Sequence, residues 1–272
     1  MCRLLGVVST TAQPLTALLR DDLPQFTALS SEHCDGWGVA HRNDQGGLTI
    51  RKAAEPAAPS AAYLEAVTDA HTDAAVLHLR KASAGMVNTC DNTHPFTDGR
   101  IAFAHNGWAS DKPGLDALVA AADGPASVGS TDSERYFSLV RAALRSVPVE
   151  VALAAVSAQV FGTMDTEALN CLLLTEDSLY AFTSYDGSRP TASGKDPHVS
   201  YELGYRIGTD RVIVASTGWA HDDEPWEPLR NGQILRVRRG DLHTSVHRLD
   251  PARAVAAAGW PAPRRRPATP AG

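Results

Sequence analysis

The sequence predicts an α+β fold of antiparallel sheets with helices packed outside, and three observations carry that expectation. Short apolar runs of strand character dominate the first half of the chain, bounded by turn-rich segments such as Asn43-Asp44-Gln45-Gly46-Gly47. Two helical stretches follow one another near the middle of the chain. Strand-like runs then return and continue to about residue 246. With few strand–helix alternations, this order favours antiparallel pairing over the crossovers of a parallel sheet.

In order, the runs at 4–8, 38–41, 48–52, 74–80 and 101–105 are read as strands, with a short helix over 58–67 between the third and fourth. The segment STDSERYFSLVRAALRSV opens with helix-start residues and repeats apolar side chains at Tyr136, Leu139, Val140 and Ala143, so it is read as a helix. VEVALAAVSAQVFG is read as a second helix. Strands are expected again at 169–175, 178–184, 201–207, 211–216, 233–237 and 241–246. Residues 2–249 are read as a single domain. The Ala/Pro/Arg-rich stretch 250–272 holds too many prolines for a helix core and is expected to be a mobile tail. Its Arg264-Arg265-Arg266 run is read as solvated charge.

Composition narrows the function classes. The chain has 272 residues, 43% apolar and 21% charged, the balance of a globular protein with a sizeable core. A net charge of -6 argues against nucleic acid and acidic membrane surfaces as partners. No apolar run approaches membrane-spanning length, and the start lacks the form of a secretion signal. A cytoplasmic protein is therefore expected, with Cys2, Cys34, Cys90 and Cys171 as reduced thiols. Cys34, Cys90 and Cys171 are read as structural. Pairings such as Cys90 with His94, or His33 with Cys34, lack a second half-site, so neither a metal nor another cofactor is expected.

Cys2 stands directly behind a methionine. A thiol attacks as thiolate, and a free cysteine with a pKa of about 8.5 is mostly protonated at neutral pH. Removal of Met1 would expose an α-amine of pKa about 7.7–8.0 on the same residue, a base able to take the thiol proton. Nucleophile and base would then share one residue. Alone, a second-position cysteine is weak grounds for this chemistry.

Further motifs strengthen it. VLHLRKASAG carries Arg80, DNTHPF spans Asp91 to Phe96, FAHNGW contains Asn106-Gly107, and GSTDSERYF carries Asp132. With Cys2 and the DGWG segment at Asp35 to Gly38, this ordered set resembles the class II glutamine amidotransferase domain of the N-terminal nucleophile hydrolases, nearest its stand-alone members. The likeness covers residues 2–140 and is diffuse beyond. It implies a four-layer αββα sandwich in which Cys2 attacks the side-chain amide of glutamine, giving a γ-glutamyl thioester and ammonia. It further implies an oxyanion hole from the Asn106 side chain and the Gly107 N–H, although Asn-Gly is also a common turn. Arg80 matches the arginine for the substrate α-carboxylate, and Asp132 the acid for its α-ammonium, although Thr/Asp with Glu134 nearby also reads as an ordinary helix start. Ser83 and Thr93 are candidate donors to the bound glutamyl group, and His94 is expected to brace the pocket wall. Asp35 to Gly38 are expected to shape the loop beside the nucleophile.

Larger relatives continue into a synthase domain, and nothing after about Val246 reads as one. The expected acceptor is therefore water, a small molecule, or something held by a separate partner chain. Trp219, Trp226 and the acidic segment between them border the acceptor side or form an ordinary surface loop. The expected substrate is glutamine or another γ-glutamyl amide. A hydrolase of one secondary metabolite and a silent γ-glutamyl-binding domain are the alternatives. A peptidase of the same fold is disfavoured, because Arg80 with Asp132 demands free amino and carboxyl groups on one residue.

Overall fold

The computed structural model describes residues 1–43, 45–83, 85–191, 194–217 and 225–263. In chain order, β1 (Arg3–Pro14) leads into helices α1 (Leu15–Leu19) and α2 (Asp22–Ala28), then strands β2 (Gly36–Arg42) and β3 (Leu48–Ala53). Helix α3 (Ala61–Thr68) precedes β4 (His71–Arg80), β5 (Phe96–Thr97) and β6 (Ala102–Ala109). Three helices follow, α4 (Lys112–Ala121), α5 (Asp132–Ala143) and α6 (Val149–Thr163). Next come β7 (Thr166–Leu174), β8 (Ser178–Phe182), helix α7 (Pro197–Tyr201), β9 (Leu203–Ile207) and β10 (Arg211–Ser216). The described chain closes with β11 (Glu227–Leu229), β12 (Gln233–Arg238), β13 (Thr244–Arg248) and helix α8 (Pro251–Ala257).

The strands pair antiparallel in two sheets, ordered β11-β9-β10-β1-β4-β2-β3 and β13-β12-β8-β7-β6-β5. Side chains on a strand alternate between faces, and here both faces are covered. On β1, Leu4 and Val8 turn inward against Leu172, Leu174, Leu179 and Leu235 of the second sheet. Leu5 and Val7 turn outward against Leu15, Leu18 and Phe26 of α1 and α2. In the second sheet, Leu169, Cys171 and Leu173 face Tyr136, Val140, Leu153 and Val156 of α5 and α6. Three apolar layers thus lie between four structural ones, the αββα sandwich. Double-sided burial also explains why these strands read as continuous apolar runs.

Several elements depart from the sequence reading. Helices α1, α2, α4 and α7 were not expected, each being short and held by packing or caps rather than by a long apolar stripe. The side chain of Asp111 caps α4 by accepting from Gly114 N at 3.0 Å. Tyr201, expected to begin a strand, ends α7. The mobile tail from residue 250 needs correcting, because Pro251–Ala257 is a helix. Asp250 accepts from Arg253 N at 2.8 Å, and Pro251 sits in the first turn, where its missing N–H costs nothing. Ala254 and Val255 bury against Ala154 and Ala155 of α6. Arg264 to Arg266 lie outside the described residues.

Candidate active site

Cys2 immediately precedes β1, and the register sets its neighbours: Arg3 pairs with Leu79, so Cys2 lies beside the end of β4, where Arg80 ends the strand. Lys81 N donates to the Cys2 sulfur at 3.5 Å. From the second sheet, β6 brings up Asn106, whose Oδ1 accepts from Cys2 N at 2.9 Å. That bond fixes the amide orientation, because only the oxygen can face a donor. The Nδ2 of Asn106 is then buried with no hydrogen-bond partner.

Gly107 is required for steric reasons, since a Cβ there would lie 1.9 Å from the Ala168 carbonyl oxygen. It pairs with Leu169, whose own N–H donates to Ser184 O at 2.7 Å on the opposite side. The pair is therefore of the non-hydrogen-bonded kind, and the Gly107 N–H points to the other edge of β6. Beyond Phe103 no strand among the described residues covers that edge.

A cleft of about 90 Å³ opens here, bordered by Cys2, Arg80, Ser83, His94, Gly107 and Asp132 among others. Thr131 caps α5, its hydroxyl accepting from Glu134 N at 3.1 Å, and Glu134 accepts from Val128 N and Gly129 N. Asp132 has no capping duty. Its Oδ2 accepts from Ala109 N at 2.9 Å, which carries the carboxylate to the cleft wall. The capping alternative thus belongs to the neighbouring residue.

Arg80 is nearly buried, and its Nη1 donates to Asn88 Oδ1 at 2.6 Å and Asp35 O at 3.4 Å. Asp35 accepts from Ala82 N at 2.8 Å and Asn88 Nδ2 at 3.0 Å, tying down the loop that follows β4. Burial opposes ionisation of Asp35, but the Ala82 and Asn88 bonds and the nearby Arg80 charge hold its carboxyl below the ordinary value. Gly38 of the same segment gives clearance, for a Cβ there would meet the His94 carbonyl oxygen at 2.0 Å.

The placement of Thr93 needs correcting. Thr93 is fully buried and donates its hydroxyl to Thr89 O at 2.8 Å, so the loop's own hydrogen bonding keeps it from the cleft. Trp226 packs on the outer helix-covered face of the first sheet with the Arg206 guanidinium 5.1 Å from its ring, while Trp219 lies outside the described residues. Of the three cysteines read as structural, Cys171 is buried, whereas Cys34 and Cys90 are exposed; all have free thiols.

Comparison with known proteins sets this geometry in a family. A sequence model described as glutamine amidotransferases class-II matches residues 1–259. The chain belongs to the class II glutamine amidotransferases. An uncharacterised protein of Methanocaldococcus jannaschii is 29% identical over 272 residues, covering 92% of this chain and 72% of its own. A glutamine aminotransferase class-II domain protein from Silicibacter pomeroyi shares the fold at a TM-score of 0.64 and 21% identity, over 92% of this chain and 100% of that one. The glutamine phosphoribosylpyrophosphate amidotransferase of B. subtilis gives a TM-score of 0.61 at 17% identity, over 91% of this chain. This chain spans 49% of that enzyme's length. No helix among the described residues is long and apolar enough to cross a membrane.

The amidotransferase carries a buried histidine stack beside its cleft. His94 lies 4.2 Å from His78 and 4.6 Å from Phe96 between ring centroids, and neither of its ring nitrogens has a hydrogen-bond partner. Burial first, then the neighbouring His78 and His105, drives its pKa well below the ordinary value, so it is a neutral wall. Burial likewise takes His78 down to about 3. His33, weighed in the sequence only as a metal partner of Cys34, is also lowered to about 3 by burial, Arg3 and the N-terminal amine.

These lowered values predict acid sensitivity. Above about pH 6.5 these imidazoles are neutral in both states and their contribution to stability is complete. As pH falls toward about 3 the unfolded chain binds protons that the folded chain refuses, so stability is lost. Thermal unfolding is expected to show Tm falling across that window, with a shallower fall in His78→Gln. Equal slopes for the two proteins would refute the assignment to His78.

Proposed function

We propose that this amidotransferase cleaves the side-chain amide of glutamine, or of a related γ-glutamyl amide, through a thioester on Cys2 formed after Met1 is removed. The observation that carries the proposal is the division of labour at Asn106. One end of its amide holds the Cys2 nitrogen, and the other is a buried donor without an acceptor. Such a donor costs about 1–3 kcal/mol when left unmet, a cost offset when a substrate oxygen arrives.

In this reading the freed α-amine takes the Cys2 proton and the thiolate sulfur attacks the amide carbon. The resulting oxyanion accepts from Asn106 Nδ2 and Gly107 N–H. Collapse breaks the C–N bond, and the departing nitrogen takes its proton back from the α-ammonium. Water, or a separate acceptor, then opens the thioester. With Met1 in place, burial raises the Cys2 thiol above its ordinary pKa, opposed by the Met1 ammonium, the Lys81 hydrogen bond and Arg80. A thiol so placed needs an adjacent base, which supports the role given to the amine. Arg80 and Asp132 hold the α-carboxylate and α-ammonium, Ser83 at the rim is an auxiliary donor, and His94 shapes the wall.

The test is glutamate release from glutamine by protein whose intact mass shows loss of Met1; no release from that form ends the proposal. Arg80→Lys keeps the charge but loses the planar fork, and is expected to raise KM for glutamine roughly ten- to a hundredfold with kcat changed less. Unchanged KM would remove Arg80 from substrate binding.

A further inference from the structure

Met1 does not dangle from Cys2. Its side chain packs into a slot made by Ala168 of β7, Tyr185 and Tyr201. The two tyrosine rings are stacked with centroids 6.3 Å apart. The walls are anchored independently of Met1. The hydroxyl of Tyr201 donates to Glu167 Oε2 at 2.6 Å, and that of Tyr185 meets His198 Nδ1 at 2.7 Å. Asn231 brackets the Tyr185 backbone, accepting from its N–H at 3.0 Å and donating to its carbonyl at 2.7 Å. Asn170 accepts from Ser184 N at 2.7 Å and donates to Tyr201 O. None of these bonds depends on the methionine, so its loss leaves the slot standing.

The position of the slot follows from covalent chemistry. Met1 is bonded to the Cys2 nitrogen, so the space it vacates begins one bond length from that atom. The departing amide nitrogen must approach the same atom to collect its proton. Cleft and slot thus meet at the α-amine: the cleft takes the glutamyl half, and the slot receives whatever the amide nitrogen carries. Ammonia would leave it empty, exposing two tyrosine faces and the Ala168 methyl to water, whereas an apolar substituent would bury them.

We propose that the slot vacated by Met1 is the leaving-group subsite, and that the preferred substrates are γ-glutamyl amides whose nitrogen carries an apolar, unbranched substituent about the length of a methionine side chain. This rests on the Cys2 reading above. Transfer follows the same balance: the thiolate forms the C–S bond, the C–N bond breaks, and the alkylamine leaves with the α-ammonium proton.

The experiment compares kcat/KM for glutamine and its N-methyl, N-butyl and N-benzyl γ-amides, using protein shown by mass to lack Met1. The N-butyl amide is expected to exceed glutamine by about tenfold or more, the scale of selectivity that a few methylenes provide in an apolar pocket. Glutamine turnover with the butyl amide equal or slower overturns the subsite and leaves the Cys2 reading intact. No turnover of any amide, glutamine included, removes both. Ala168→Val adds methyls to the slot and is expected to lower the butyl-to-glutamine ratio of kcat/KM about tenfold. An unchanged ratio overturns the placement.

Discussion

Cys2→Ala is expected to lower glutamate release from glutamine by about 10⁴-fold or more, to the background set by binding alone. The size follows from the proposed chemistry, in which the sulfur forms the acyl bond. Of the other thiols, Cys34 and Cys90 are exposed, and Cys171 lies in the helix-facing core beside Tyr136, its thiol pushed up to about 12 by burial. Cys2→Ala keeps a small side chain behind Met1, so processing is preserved and the loss reports the sulfur. The companion measurement blocks processing instead. Protein retaining Met1 has an amide where the base should be, and its activity should fall with the unprocessed fraction seen by mass. Full activity with Met1 in place would refute the amine's role while leaving the sulfur's open to the alanine test.

Asn106→Ala is expected to cost about 10²–10³ in kcat, with KM for glutamine changed far less. An oxyanion exists only beyond the ground state, so a donor reserved for it lowers the barrier without tightening substrate binding. In this protein the substitution also removes the acceptor that holds the Cys2 nitrogen, which places the loss toward the upper end. Asn106 is fully buried between β7 and the first sheet, so the variant's fold is checked by circular dichroism before kinetics. A purely structural role would depress Tm and leave kcat per folded molecule near wild type. That outcome would detach Asn106 from the chemistry.

The site was legible in the sequence to the extent that its residues carry unusual chemistry at strand and helix ends. Cys2, Arg80, Gly107 and Asp132 border one cleft and Asn106 accepts from the Cys2 nitrogen, although they come from both sheets and a helix. Asp132 illustrates what remained open. A Thr-Asp pair before a helix offers two candidates for the cap, and only the backbone geometry assigns that duty to Thr131 and frees Asp132. Thr93 shows the opposite case, a hydroxyl of suitable type whose bond to Thr89 commits it to its own loop. Asn88, which grips Arg80, gave no signal, because an amide in a polar loop looks like any other. The Met1 slot was wholly hidden, since its walls lie more than 160 residues from Cys2 in the chain.

The same division holds for the fold. Apolar runs bounded by turns determined where most strands lie, because side-chain period and burial are written locally. Helices α1, α2 and α7 escaped, since five to seven residues carry no readable stripe, and so did α8, whose prolines read as breakers until Asp250 and α6 gave it a cap and a partner. By itself the sequence determined that a thiol stands directly behind a methionine, and that a guanidinium, an Asn-Gly pair and a carboxylate follow in order. Only tertiary structure decided that they converge. Pairing of Arg3 with Leu79 and the packing of β6 across the sandwich are long-range choices, made by layers of apolar side chains that no local stretch contains.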